Sequence, residues 1–418
     1  MKKKYSVITV AVFLALLVFF TSFSVFGKKS DFSEKENRAL QMYPDVSLDS
    51  IGDGTFQEEY DAFLSDQFEF RDFWVKARTE LLRKLGRKDI NGVYYGKDGY
   101  LIEKYTERDF KSDDVENNVS CLTEFLNRNA EKGYSVSVAF VPSKAGVLKN
   151  KMPSGAAPYD TSVIAEEVYS GASDRVNKID LYLPLTSHNN EYIYYKTDHH
   201  WTSLGAYYAY REIADKMTLD AVDISAFKSV TISDSFLGST YDKVQYKTEP
   251  DSITRYDSRV KVTVDYGNDR AASDSLYDES FLSQKSKYDY FLGGNFARVD
   301  INTDVKNGKT LLLIKDSYAN SVLPFLVNNF EHIIMLDLRF ITDDVQKIID
   351  SEKPDELLVL YNVEKFMGDE NQYKLEEGAE TGEDASDEAA SEETGDSAED
   401  EAILKELEEE EAREGAQD

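Results

Sequence analysis

In the last third of this chain, three apolar runs alternate with stretches of helical spacing, and this pattern constrains the fold more than any other. The runs are LLLIKDSY (311–318), HIIMLDLR (332–339) and DELLVLYNV (355–363). Such alternation predicts an α/β fold with a mostly parallel sheet and helices on both faces. Upstream, YSVSVAFVPSK (134–144) reads as a strand running into a loop, and KIDLYLPL (178–185) contains a short strand. DVENNVSCLTEFLNRNAEKG (114–133), VIAEEVYSGAS (163–173) and TSLGAYYAYREIADKM (202–217) carry helical periodicity. Gly133 is the expected stop of the first of these, and Thr202 or Ser203 the expected N-cap of the last. In open parallel sheets, binding sites gather at the carboxyl ends of strands. Ser317 stands at such an end, where a helix is expected to start.

The two ends of the chain call for separate treatment. Residues 5–27 are nearly unbroken apolar sequence without charge, preceded by Lys2, Lys3 and Lys4. That is long enough to span a bilayer as a helix, and the lysines place the N-terminus inside. The segment is expected to be an uncleaved anchor, with a cleaved signal peptide as the alternative. Either way, the main domain is expected outside the cytoplasmic membrane. From Glu376 onward, 20 acidic residues face only Lys405 and Arg413, so the tail carries −18 of the formal net charge of −31. A tail of this composition is expected to be disordered. The expected organisation is a cytoplasmic stub and transmembrane anchor (1–29), an extracytoplasmic domain (30–370) and an acidic tail (371–418). Within the domain, residues 56–86 read as two helices, and the polar, Tyr- and Asp-rich stretch 218–300 as an insertion with short strands. GVYYGKDGYLI (92–102) reads as a hairpin turning at Lys97-Asp98-Gly99.

Cys121 is the only cysteine, so no intramolecular disulfide can form. One cysteine and four histidines leave few soft metal ligands, and the expectation is no metal and no cofactor. No basic patch points to nucleic acid.

The chemistry concentrates in two segments. KTDHHWT (196–202) supplies Asp198, His199 and His200, and TLLLIKDSYANS (310–321) supplies Ser317. A serine hydroxyl is a weak nucleophile until a histidine takes its proton. The histidine needs a carboxylate to hold its tautomer and stabilise its cation. The residues therefore suit nucleophilic acyl chemistry, with Ser317 as nucleophile. Adjacent residues can point opposite ways, so the pattern alone leaves open which histidine is the base. The Ser317 N–H at a helix start is expected to help hold an oxyanion. Gly238 and Ser239 in FLGSTY are candidate further donors, because glycine lets a backbone N–H approach an acyl oxygen. Lys144 is a candidate for an anionic substrate group or a loop cap, and Tyr194 and Tyr195 for the cleft lining. Trp201 is expected to pack beneath its loop rather than stack on a sugar, and Asp316 to cap the segment after it.

With these motifs in hand, the chain resembles the bacterial DHHW protein family. That family is similar to the SGNH-hydrolase-like domain of alginate O-acetyltransferases. FSEKENRAL (32–40), FLSDQFEFRD (63–72), GVYYGKDGYLI, FVPSK (140–144) and FLGSTY (236–241) follow the family's usual order, so the likeness covers roughly residues 32–366. It implies an SGNH-hydrolase-like sandwich. It maps Asp198 as orienter and His200 as base, with His199 at the variable position. Lys315 stands where other branches of the superfamily have glycine. The implied activity is O-acetyl transfer to, or acetylester hydrolysis from, a cell-envelope or exported glycan. A membrane-bound O-acyltransferase is the implied partner, since acetyl groups must be passed across the membrane. Two alternatives stand beside this: a non-catalytic glycan-binding or assembly protein, and a metal-dependent phosphoesterase, whose signature also contains Asp-His-His.

Overall fold

The computed structural model describes residues 71–245 and 248–378 throughout, and within the first 68 residues 10–15, 18–19, 29, 32–33, 38–44 and 46–68. The expected anchor (5–27) lies largely outside the described residues, and the acidic tail from residue 379 lies wholly outside them. Among the described residues, no helix is long and apolar enough to cross a membrane.

The chain forms two compact units. The first contains the helices Thr55–Asp66 and Arg71–Lys84, the pair expected from spacing. The second begins at Lys88 and carries the seven-stranded sheet. Its strands are β1 (Ser135–Val141), β2 (Asn177–Asp180), β3 (Val262–Asp265), β4 (Arg298–Thr303), β5 (Thr310–Lys315), β6 (His332–Leu336) and β7 (Glu356–Asn362). Their order is β3-β4-β6-β5-β7-β1-β2. The five strands from β6 to β2 run parallel, and β4 and β3 extend one edge antiparallel.

Central β5 shows why its sequence is an unbroken apolar run. Successive side chains of a strand point to opposite faces. Leu311 and Leu313 enter one core with helix α3 (Ser203–Lys216). Leu312 and Ile314 enter the other, with α1 (Ser112–Glu131) and α2 (Ser162–Gly171). All four are fully buried, each contributing roughly 1.5–3 kcal/mol. Thr202 caps α3, its side chain accepting from the Gly205 N–H at 3.3 Å. Gly133 follows α1 at φ 95°, where a Cβ would be strained. The 92–102 hairpin forms, its turn made by Asp98 and Gly99 at positive φ. At the other end of the unit, the turn Gln372–Leu375 buries Leu375, so the folded chain continues past residue 370.

The stretch 218–300 is part of the architecture. It supplies the ribbon Lys228–Phe236 with Asp251–Asp257, edge strand β3, and β4's first residues. Three carboxyl ends of the parallel strands are tied to one another. The Asn362 N–H, ending β7, donates to Asp316 Oδ2 at 2.7 Å, and Asn362 Nδ2 to the Val141 carbonyl, ending β1, at 3.3 Å.

Beneath this junction β5 ends in a buried charge. Lys315 donates to Asp337 Oδ2 at 3.1 Å and to Asn295 Oδ1 at 2.7 Å, and Arg339 grips the same carboxylate at 3.0 and 2.9 Å. Lys315 and Asp337 are both almost completely buried. Removing one partner of a buried pair strands the other. Asp337→Ala should therefore lower stability by about 3–5 kcal/mol in urea unfolding. Lys315→Met combined with Asp337→Leu should recover most of that loss.

Candidate functional site

The site is built on a short loop between two anchored points. Tyr194 and Trp201 pair as an isolated antiparallel bridge, so residues 195–200 form a loop closed at its base. Trp201 is fully buried beneath it, its indole N–H donating to the Tyr318 carbonyl at 3.1 Å and to Ser321 Oγ at 2.8 Å. This ties the loop to the turn that follows β5. That turn, Ser317–Ser321, is a 3₁₀ turn capped by Asp316, where the sequence suggested the start of a helix. Asp316 Oδ1 accepts from the Tyr318 N–H at 3.0 Å, so it caps as expected.

The result is a continuous chain of hydrogen bonds. His200 Nδ1 lies 2.6 Å from Asp198 Oδ1, and His200 Nε2 lies 2.7 Å from Ser317 Oγ. With Nδ1–H donating to the carboxylate, Nε2 is left as acceptor for the serine hydroxyl. The two residues are 117 positions apart in sequence. Ser317 is 6% exposed, so any approach to it is narrow. Burial alone would raise the Asp198 carboxyl, but the adjacent His199 and His200 imidazoles and its hydrogen bonds hold it well below the usual range. Asp198 is therefore ionised.

His200 is clamped by rings. Tyr288 stacks on it at 3.6 Å and 9°, and His199 lies 3.9 Å away at 35°. The Tyr288 hydroxyl donates to the Ser317 carbonyl or Ser321 Oγ, each at 3.1 Å. Tyr288 escaped the sequence reading: one tyrosine in a Tyr-rich stretch carries no local signal. Asp251 was missed for the same reason. Its carboxylate accepts from the Lys196 and Thr197 N–H groups, both at 2.7 Å, and from Thr197 Oγ1 at 2.5 Å, and it also bonds Tyr192. It thus holds the approach to the loop.

Several candidates have other tasks than expected. Gly238 and Ser239 do not offer free N–H groups for an oxyanion. The Gly238 N–H donates to Thr197 Oγ1 at 3.1 Å, and the Ser239 N–H and Oγ to Asp198 Oδ2 at 2.9 and 3.1 Å. They complete the hydrogen bonding of the Asp198 carboxylate. Lys144 is buried, and its ammonium donates to the carbonyls of Leu101 (2.6 Å), Asp198 (2.9 Å) and Lys196 (3.4 Å). It caps loops and has no reach to a substrate anion. Burial pushes it down to about 8, against the pull of Asp251 and Asp198. Tyr194 and Tyr195 line no cleft, since both are fully buried. Tyr195 packs edge-on against Phe236 and Tyr288. His199 is at the rim, its side chain 16% exposed, with Nδ1 2.7 Å from Ser239 Oγ.

Asp198, His199 and His200 also have donor atoms close enough to hold a metal. The fit is poor. Both Asp198 oxygens and both His200 nitrogens are already engaged in the bonds above, so a metal would have to break the serine–histidine–aspartate chain.

A Cβ at Gly238 would sit 2.3 Å from both Cβ and Oδ2 of Asp198. Gly238→Ala should therefore displace the carboxylate while the sheet stays folded. Modification of Ser317 by a serine-directed reagent is expected to slow by at least ~10-fold, the cost of about 1.4 kcal/mol, with an unchanged far-UV circular dichroism spectrum.

The DHHW protein family model matches residues 159–336, which include Asp198, His200 and Ser317. The crystal structure of a DHHW family protein from Eubacterium siraeum aligns with a TM-score of 0.59 at 28% identity, covering 69% of this chain and 95% of that one. Bacillus cereus PatB1, solved with a sulfonyl adduct, aligns at 0.56 and 20% identity, covering 68% and 97%. The O-acetyltransferase domain of Pseudomonas putida AlgJ aligns at 0.41 and 14% identity, covering 67% and 94%. No curated protein sequence matches. The matched motif segment and the fold shared with the Eubacterium siraeum protein make this chain similar to DHHW family proteins.

Proposed function

We propose that this protein is a serine O-acyltransferase or acetylesterase acting on a cell-envelope or exported glycan, held at the outer face of the membrane by residues 5–27. The observation that carries this is the unbroken Asp198–His200–Ser317 chain at 2.6 and 2.7 Å. His200 Nε2 takes the Ser317 proton as Oγ attacks the acetyl carbonyl of a donor. Asp198 stabilises the imidazolium that forms. The leaving group departs with the proton from His200, and the acetyl group remains on Ser317. A second hydroxyl, from glycan or water, then loses its proton to His200, takes the acetyl group and frees the serine. The Ser317 N–H heads its turn and so has no acceptor within it. It would serve as a backbone donor to the developing oxyanion. A membrane-bound O-acyltransferase would supply the acetyl group where transfer is the physiological direction.

PatB1 carries a sulfonyl adduct, and sulfonyl reagents react with activated nucleophiles, so the same class of reagent probes this site. Wild type should be labelled by a sulfonyl fluoride and hydrolyse p-nitrophenyl acetate. Ser317→Ala should abolish labelling, and Ser317→Ala and His200→Ala should each lower turnover by at least about 10³-fold. Folded wild-type protein that neither labels nor turns over would sink the enzyme reading in favour of glycan binding or assembly.

A further inference from the structure

The rim histidine has a determinable protonation pattern, and its free nitrogen faces a definite chemistry. Ser239 Oγ has one proton. It lies 3.1 Å from Asp198 Oδ2 and 2.7 Å from His199 Nδ1. Were that proton given to His199, an ionised carboxylate oxygen and a bare hydroxyl oxygen would face each other without a hydrogen. The Ser239 hydroxyl therefore donates to Asp198, the stronger acceptor. Ser239 Oγ must then accept, and His199 must carry its proton on Nδ1. This leaves His199 Nε2 as a lone pair, and it makes no hydrogen bond among the described residues. His200 has the same tautomer, with Nδ1–H on Asp198 Oδ1.

The two rings are also aimed alike. Both Nδ1 atoms face the Asp198–Ser239 pair, with His199 Nδ1 3.8 Å from Asp198 Oδ1. The rings overlap at 3.9 Å with a 35° tilt. Within an imidazole, Nε2 points away from Nδ1, so both Nε2 lone pairs point away from the carboxylate. One of them meets Ser317. Burial, reinforced by the neighbouring His200, holds the His199 imidazole well below its ordinary range. With the proton on Nδ1, Nε2 is the acceptor that this ring presents.

We propose that His199 and His200 together form an acceptor site for a vicinal diol, such as two adjacent hydroxyls of a sugar ring. This rests on the acyl-enzyme reading above. Once Ser317 is acylated, the attacking hydroxyl donates to His200 Nε2 and its neighbour donates to His199 Nε2. The attacking oxygen forms an ester bond to the acyl carbon as its proton passes to His200. The bond from acyl carbon to Ser317 Oγ breaks, and Oγ recovers the proton from His200. The neighbouring hydroxyl keeps its proton and sets the acceptor's orientation. An ionised carboxylate has no proton to give His199, so this position favours a hydroxyl over a carboxylate.

The test uses p-nitrophenyl acetate as donor, and ethylene glycol and 2-methoxyethanol as competing acceptors. The two alcohols have comparable attacking hydroxyls, and the second replaces the neighbouring O–H by an ether. The readout is the ratio of new acetyl ester to free acetate, which cancels changes in acyl-enzyme formation. Wild type should favour ethylene glycol by about 10-fold, the worth of one hydrogen bond. His199→Phe should lose that preference, and His199→Gln, which retains an acceptor, should keep part of it. The proposal is overturned if wild type treats the two alcohols alike or transfers only to water, or if His199→Phe retains the preference. The wild-type comparison stands even where a variant fails to fold. Absence of any acyl-enzyme in wild type would instead overturn the preceding functional reading.

Discussion

The Asp198 carboxylate is the group on which the site depends. It takes four hydrogen bonds, two from His200 and two from Ser239. Each of its oxygens is shared between one backbone N–H and one side chain. The backbone bonds hold the carboxylate still, and the side-chain bonds transmit that position outward. One reaches the His200 ring and through it Ser317, and the other reaches His199 through Ser239. A buried carboxylate with fewer partners would gain a proton and release the imidazole. The chain instead places a glycine at 238, so that the next N–H can come within bonding distance of the acid.

A second layer of ties makes this arrangement rigid. Lys144, on the short helix after β1, fastens three carbonyls from the hairpin and the histidine loop. Asp251 fastens the start of that loop, and Trp201 fastens its end to the serine turn. Asp316 joins the serine turn to the end of β7. Charged groups therefore serve as connectors here. Buried without partners they would be costly, and the carbonyls and N–H groups of loops, which have no strand or helix to satisfy them, are what they bind.

Much of this was legible from local pattern. The double-sided apolar runs gave β5, β6 and β7. Helical spacing and Thr202 gave α3. The resemblance singled out His200, and its geometry places it between Asp198 and Ser317. What escaped notice was whatever depends on contacts distant in sequence. Gly238 and Ser239 look the same in a sequence whether their N–H groups face an oxyanion or a carboxylate. Lys144 looks the same whether it faces solvent or three carbonyls. Tyr195 and Tyr288 are alike as letters, yet one packs in an aromatic cluster and the other stacks on the histidine. The stretch 218–300 has weak periodicity because its strands form a two-stranded ribbon and a sheet edge, where one face needs no apolar residues.

The separation of the site residues along the chain also bears on how the protein folds. Asp198, Ser239, Tyr288 and Ser317 meet only when the loop, the segment at 238–239, the stretch around 288 and the central strand have all docked. Contacts so distant in sequence form slowly and late, because the loops between them must close first. Until then Ser317 has no imidazole beside it. The hydrogen-bonded chain from Asp198 to Ser317 therefore arrives with the final cooperative step of folding, and a partly folded chain does not carry it.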